Sequence, residues 1–336
     1  MDDRPLVYLT REIPREGLDR LEDSCEVVAW EESTAPPHDL LVDRLAELEA
    51  DGLFCNVADT VDAAVFDASP NLRAVGTMSV GYDHIDLRGA AERDIAVGHT
   101  PGVLSETTAD LAWALLMAGA RRIVEADQQV HDGEWDTWGP MVLLGRDIHD
   151  ATLGVVGLGG IGTAFAKRAA GFDMDVCYTH TGRNEAAEAE LAEYGVDATY
   201  CDLPDLLDRA DYVSLHVPLT DETAGLISED ELRRMDKEAI LINSARGEVV
   251  DTEALDRALA EGWIRHAALD VTDPEPLPPG HSLCRHAPER ITVTPHIGSA
   301  STETRGEMAV MTADNILAGL ADEDPPYSAL EHAGIR

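Results

Sequence analysis

Lysine is nearly missing from this 336-residue chain: only Lys167 and Lys237 occur, and every other cation is arginine. Basic residues total 25 against 65 acidic ones, a net charge of −40. That balance removes any default attraction to DNA, RNA or an anionic membrane, so no nucleic-acid or membrane partner is expected. Cysteine is sparse too. Cys25, Cys55, Cys177, Cys201 and Cys284 are scattered and odd in number, without a C-x-x-C pair. A disulfide framework and a metal site are therefore not expected, and a reducing compartment fits. The start, MDDRPLVYLT, lacks the basic residues and apolar core of a signal peptide, and the expected location is the cytoplasm. The longest clearly apolar run, LAWALLMAGA at 111–120, is too short to cross a bilayer. Internal repeats, low-complexity tracts and coiled-coil heptads are absent as well.

What remains is a chain long enough for two domains, with 44% apolar residues to fill their cores. Periodic apolar segments along the whole length argue against an acidic disordered protein. The charge reads instead as halophilic adaptation to a cytoplasm at molar salt, where self-repulsion is screened over a few ångströms. LVYLT (6–10), CEVVAW (25–30), GLFCN (52–56), LRAVGTM (72–78) and IAVGHT (95–100) read as buried strands. GLDRLED, HDLLVDRLAELE and DLRGAAERD between them have helical spacing, so parallel βαβ units are expected. One long helix is predicted from Ser105 towards Trp135, then an irregular arm at 131–150 bearing Trp and Gly. A second βα series follows: TLGVVG, MDVCYT, YVSLHVP, AILINSA, RHAALDV and RITVTP. The tail 300–320 reads as one amphipathic helix.

GVVGLGGIGTAFAKR (154–168) holds Gly157-x-Gly159-x-x-Gly162 between an apolar strand and an apolar-periodic helix. Alone the pattern is weak, because glycines gather in any tight turn. In this context Gly157 permits the turn, Gly159 lets backbone approach a pyrophosphate, and Gly162 lets helix and strand pack. The helix start offers N–H groups to the anion. Three further stretches each follow a predicted strand: INSARGEVVD (242–251), LDVTDPEP (269–276) and TPHIGSAS (294–301). Singly, Arg246 is one of many solvated arginines, Glu275 a surface acid, and His296 a strand-end histidine. Three together, at the sheet edge where a ligand crevice forms, are not ordinary.

With these motifs and SVGYDHID (79–86), the chain resembles the D-isomer-specific 2-hydroxyacid dehydrogenases over nearly its whole length. LDVTDPEPLPPGHSL, PHIGSASTETR and NILAGL make it most similar to the glyoxylate/hydroxypyruvate reductases of that family. The resemblance implies Arg246 as substrate anchor, Glu275 as partner carboxylate and His296 as acid/base. It also implies that Val80 and Gly81 hold substrate through their amides, and that Trp138 reaches a neighbouring subunit's substrate pocket. The chemistry is consistent. Reducing a 2-keto acid takes a hydride onto carbon and a proton onto oxygen, and a histidine can deliver the proton. A carboxylate beside it favours the imidazolium. A guanidinium grips the substrate carboxylate with two parallel hydrogen bonds. The Val80–Gly81 amides could form a small anion nest, or belong to a plain strand-to-helix turn.

NAD-using folds of this kind place an acid about 20 residues past the glycines, on the adenosine ribose. Counting on from Gly162 reaches VCYTHTGRN (176–184), where no acid occurs and His180, Thr181, Gly182 and Arg183 stand instead. Thr181 and Arg183 can bond a ribose 2′-phosphate that a carboxylate would repel. NADP-preferring reductases of the family show a similar T-G-R turn. NADP(H) is thus the expected cofactor, with NAD(H) accepted if the turn is unselective. The expected cofactor-binding set is Thr108, Gly157, Gly159, Gly160, Ile161, Gly162, His180, Thr181, Arg183, Val217, Pro218, Ala245, Asp270, His296 and Gly298. Many family members carry Arg where this chain has Gly160, so pyrophosphate contacts must rest on backbone amides and neighbours such as Thr108.

The expected fold is α/β, with two Rossmann-like, doubly wound parallel-sheet domains separated by a cleft. Residues 1–101 with 300–336 form the substrate domain, and 102–299 the dinucleotide-binding domain. Two crossings between domains make a hinge that closes on substrate. The long helix and the arm carry apolar surface suited to a homodimer, the pairing region of the family. The expected reaction is reduction of glyoxylate or hydroxypyruvate. A dehydrogenase for larger 2-keto acids, a serine-pathway phosphoglycerate dehydrogenase and a dinucleotide-sensing corepressor are the alternatives.

Overall fold

A computed structural model describes residues 4–32 and 34–335. Met1–Asp3, part of the stretch read above for a signal peptide, lie outside these residues. The chain divides into two compact units, Met1–Leu104 with Ala300–Arg336, and Ser105–Ser299. Both are built on wholly parallel sheets, so the fold is two α/β domains.

In the first unit, β1 (Leu6–Leu9), β2 (Glu26–Ala29), β3 (Gly52–Cys55), β4 (Ala74–Thr77) and β5 (Ala96–Gly98) lie in the order β2-β1-β3-β4-β5. Their apolar residues alternate between two faces. Tyr8, Leu53, Val75 and Val97 join one buried cluster, and Val7, Leu9, Phe54 and Ala74 the other. The second cluster is closed by Ala313 and Ile316 of the C-terminal helix Thr302–Leu320. That helix is amphipathic, as expected. Thr304, Met308, Ala309, Thr312 and Leu320 are among its buried residues, and Glu303 and Glu307 stay exposed. It packs against both the sheet and the helix Arg15–Glu22.

The second unit carries β6 (Thr152–Val156), β7 (Asp175–Thr179), β8 (Ala198–Tyr200), β9 (Tyr212–Leu215), β10 (Ile240–Asn243), β11 (His266–Leu269) and β12 (Ile291–Val293). Their order, β12-β11-β10-β9-β6-β7-β8, reverses direction between β6 and β9. This is the Rossmann arrangement, with its ligand position beyond the strand ends at the switch. Leu153 and Val155 face one core and Val156 the other, so helices cover both sides. β8 is an edge strand whose ATY sequence offers no apolar run, and the sequence gives no hint of it.

The single long helix expected from Ser105 is two helices, Ser105–Arg121 and Ile123–His131. Arg122 between them is left-handed, at φ 54°. Arg146 N donates to Ala120 O at 2.8 Å, so the returning arm takes a carbonyl at the end of the first helix. No described helix is long and apolar enough to cross a membrane.

Candidate active site

Sharp turns follow the strands of the second unit, and the expected residues stand on them. The glycine loop leaves β6 with Gly157 at φ 98°, a conformation that suits glycine. A Cβ there would lie 2.6 Å from His216 O and 2.9 Å from Val217 Cγ1, which puts Val217 beside the loop. A Cβ on Gly162 would strike Gly157 O, whereas one on Gly159 would meet nothing within 4 Å. Gly159 precedes the helix Gly160–Lys167, so Gly160, Ile161 and Gly162 form its first turn and offer their N–H groups. These residues fit a dinucleotide pyrophosphate by backbone alone. A Cβ on Gly160 would have Ser105 Oγ as its neighbour, at 3.3 Å, and Ser105 was not among the residues expected here. Thr108, one helical turn on from Ser105, lies against Gly298, where its Cγ2 is 3.2 Å from a Cβ built on that glycine.

At the ends of β10, β11 and β12 the three suspected residues come together. His296 Nδ1 and Glu275 Oε1 are 2.6 Å apart, which leaves Nε2 outside the pair. Burial raises the Glu275 carboxyl, but the hydrogen bond and charge of His296, the Thr272 amide and the Arg246 charge outweigh it and hold Glu275 below the ordinary carboxylate range. The Arg246 charge therefore acts on the same acid that orients the histidine. Arg246 follows β10 in extended backbone, φ −143°, and Asn243 Nδ2 donates to its carbonyl at 2.8 Å. Ala245 N donates to Asn243 Oδ1 at 3.0 Å, and Pro218 O accepts from Thr223 Oγ1 at 2.6 Å. A Cβ on Gly247 would run into the Thr272 backbone, so glycine here lets the arginine turn approach the loop that carries Glu275.

Asp270 was expected to touch cofactor. It is 1% exposed, and its carboxylate is spent on the loop that carries His296. It accepts from Ile297 N at 2.8 Å, Gly298 N at 2.7 Å and Thr294 Oγ1 at 2.6 Å. His296 N donates to Asp270 O at 2.9 Å. Held this way, His296 takes the left-handed conformation at φ 54°, which a non-glycine residue seldom adopts.

The turn after β7 gains a partner that the sequence reading did not include. VCYTHTGRN has no acid of its own, but the helix Glu185–Glu193 brings one back within a turn. Glu188 Oε2 and Arg183 Nη2 are 2.8 Å apart, so the cation expected to meet a 2′-phosphate already holds a carboxylate. His180 and Thr181 lie on the same turn, and Asn184 Nδ2 ties it to Leu158 O of the glycine loop at 2.8 Å. Tyr178, Asn184 and Glu188 were not anticipated. Their signal, a helix start just past the turn with Glu one helical turn in, is common to many surface helices.

In the first unit, the Val80–Gly81 segment follows β4 with both its carbonyls bound. Ser79 Oγ donates to Gly81 O at 2.6 Å, and His99 Nδ1 lies 2.9 Å from Val80 O. Burial pushes the His99 imidazole down, more than its bond to Val80 raises it, and His332 lowers it further. Trp138, on the arm of the second unit, is 81% exposed.

Residues 113–298 match the model for the NAD-binding domain of D-isomer specific 2-hydroxyacid dehydrogenases. The chain belongs to that family. It is an enzyme, with relatives of its whole length. A glyoxylate reductase of Korarchaeum cryptofilum is 48% identical over 96% of this chain and 95% of its own. The TT0316 protein of Thermus thermophilus is 46% identical, with a TM-score of 0.88 over 96% of this chain and 99% of its own. An NADPH-dependent glyoxylate/hydroxypyruvate reductase of Sinorhizobium meliloti, solved with NADP and malonate, is 30% identical, with a TM-score of 0.84 over 98% of both chains.

Proposed function

We propose that this dehydrogenase reduces glyoxylate or hydroxypyruvate to the D-2-hydroxy acid and prefers NADPH over NADH. The observation that carries the reaction is the 2.6 Å pair between His296 Nδ1 and Glu275 Oε1, with Arg246 acting on the same carboxylate. Glu275 fixes the ring so that Nε2 is the nitrogen that works on substrate. Arg246 binds the substrate carboxylate through two parallel N–H groups, and the Val80 and Gly81 amides add a backbone grip. A nicotinamide nucleotide held along the glycine loop supplies the hydride. His296 Nε2 gives its proton to the ketone oxygen as the carbon is reduced, and Glu275 stabilises the imidazolium before that transfer. In the reverse direction the same nitrogen takes the hydroxyl proton.

The preference for NADPH is supported by Thr181 and Arg183 on the turn after β7, and by the NADP bound in the Sinorhizobium relative. A homodimer through the second unit is supported by its exposed apolar residues, among them Ile123, Val130, Trp135, Trp138 and Met141. Size-exclusion chromatography with light scattering checks it, and a monomer at assay concentration refutes it.

The deciding assay follows oxidation of NADPH and NADH with glyoxylate, hydroxypyruvate, pyruvate and longer 2-keto acids at high salt. Turnover of the two small acids with NADPH is expected. Efficiency rising with chain length would favour a dehydrogenase for larger acids, and absence of turnover with every substrate would favour a dinucleotide sensor. A preference for NADH of about tenfold would overturn the cofactor assignment.

A further inference from the structure

Within the turn that meets the adenosine end of a cofactor, Arg183 is already engaged. Its Nε lies 3.0 and 3.1 Å from the two Glu188 oxygens, and its Nη2 lies 2.8 Å from Oε2. The fork uses Nε and Nη2 and leaves Nη1 out of the pair. Glu188 is pinned in turn: Tyr178 OH donates to its Oε1 at 2.6 Å. The same hydroxyl accepts from Asn184 N at 2.9 Å, and Tyr178 is fully buried in β7. The Glu188 side chain is 15% exposed and that of Arg183 62%, so a mostly buried acid holds a mostly exposed cation. The hydrogen bond and charge of Arg183, joined by Tyr178, keep the Glu188 carboxyl below its ordinary range and so ionised at neutral pH.

Such an acid acts on a nearby phosphate in two opposed ways. Its charge repels the phosphate through the guanidinium, and its fork fixes a long side chain that would otherwise lose rotamer freedom on binding. Salt decides between them. In water at molar ionic strength the screening length is about 3 Å, and a phosphate would lie on the solvent side of the exposed guanidinium. The fork to the mostly buried Glu188 is screened much less. Repulsion is then damped and the fixed geometry remains.

We infer that Glu188 is a positioning residue for cofactor selection: anchored by Tyr178, it holds Arg183 as a preformed clamp for the ribose 2′-phosphate. This rests on the reading that Arg183 meets that phosphate. The test measures kcat and KM for NADPH and for NADH in about 2 M KCl, where the screening holds. The proteins compared are the unmodified enzyme and the variants Arg183→Ala, Glu188→Ala, Glu188→Gln and Tyr178→Phe.

Arg183→Ala is expected to lower the NADPH-to-NADH efficiency ratio by about tenfold or more, for loss of a charge-assisted bond. Glu188→Ala is expected to lower the ratio by about three- to tenfold, through KM for NADPH, because the clamp must now be ordered on binding. Glu188→Gln, which keeps one acceptor, should fall between Glu188→Ala and the unmodified enzyme, and Tyr178→Phe should move the ratio in the same direction. A purely structural role for Glu188 would raise KM for both cofactors and leave the ratio alone. If Arg183→Ala lowers the ratio while Glu188→Ala leaves or raises it, the positioning role is refuted and the phosphate assignment stands. A ratio unmoved by Arg183→Ala removes both.

Discussion

The two ends of one sheet edge are built differently. At β10–β12 the loop of His296, the proposed acid/base, is fixed by a buried Asp270 that binds two of its backbone amides and a hydroxyl. At β7 Arg183, the cation proposed to select the cofactor, is fixed by an acid on the next helix and remains mostly exposed. Chemistry needs one geometry held within a fraction of an ångström, and buried, saturated hydrogen bonds give that stiffness. Choosing between two nucleotides that differ by one phosphate needs only a well-placed charge. The proposed clamp, an exposed cation on a mostly buried acid, has that form.

The contrast can be tested by substitution, starting where the effect is greatest. His296→Ala should lower reductive turnover by about 10²–10⁴ while NADPH binding, measured by fluorescence titration, stays near normal. Unchanged turnover would take His296 out of the mechanism. Asp270→Ala strands two amides and the Thr294 hydroxyl. Turnover should fall by about 10²-fold as the histidine drifts, and the melting temperature should drop, since each abandoned buried donor costs about 1–3 kcal/mol. If Asp270→Ala melted like Glu188→Ala, the claim that the two ends differ in rigidity would fail.

Glu275→Gln should leave folding intact and lower reductive turnover, because the carboxylate that holds His296 Nδ1 at 2.6 Å is replaced by a neutral amide. Turnover equal to that of the unmodified enzyme would take Glu275 out of the mechanism. The smallest effect concerns stability in acid. Burial depresses His266 to about 4 from its ordinary 6.5. The unfolded chain therefore binds a proton that the folded unit refuses between those values, and stability declines as pH falls from 6.5 towards 4. His266→Gln should flatten that decline in urea titrations at successive pH values, and an equally steep slope would count against it.

Much of this was legible in the sequence. Eleven of the strands follow from apolar runs, and the glycine loop and the NSARG, LDVTDPEP and PHIGSAS turns mark the ends of β6, β10, β11 and β12. Local patterns succeed there because each residue acts where its strand ends. Three things were hidden. β8 has too little apolar character to stand out, and the break at Arg122 depends on a backbone bond from the distant Arg146. The acid missing from VCYTHTGRN returns through the helical repeat of the next element. Asp270 was visible in the sequence, but its hold on the backbone of the histidine loop was not, since only the fold shows that its carboxylate accepts from those amides.

The helix Thr302–Leu320 has a consequence for synthesis. It covers a face of the first sheet that displays Val7, Leu9 and Phe54, yet it is translated only after all of Ser105–Ser299. The nascent N-terminal segment thus waits on the ribosome with an oily flank bare while Ser105–Ser299 completes its own core. Slow elongation through the last forty or so codons would prolong that interval, so chaperone demand should track the timing of this one helix.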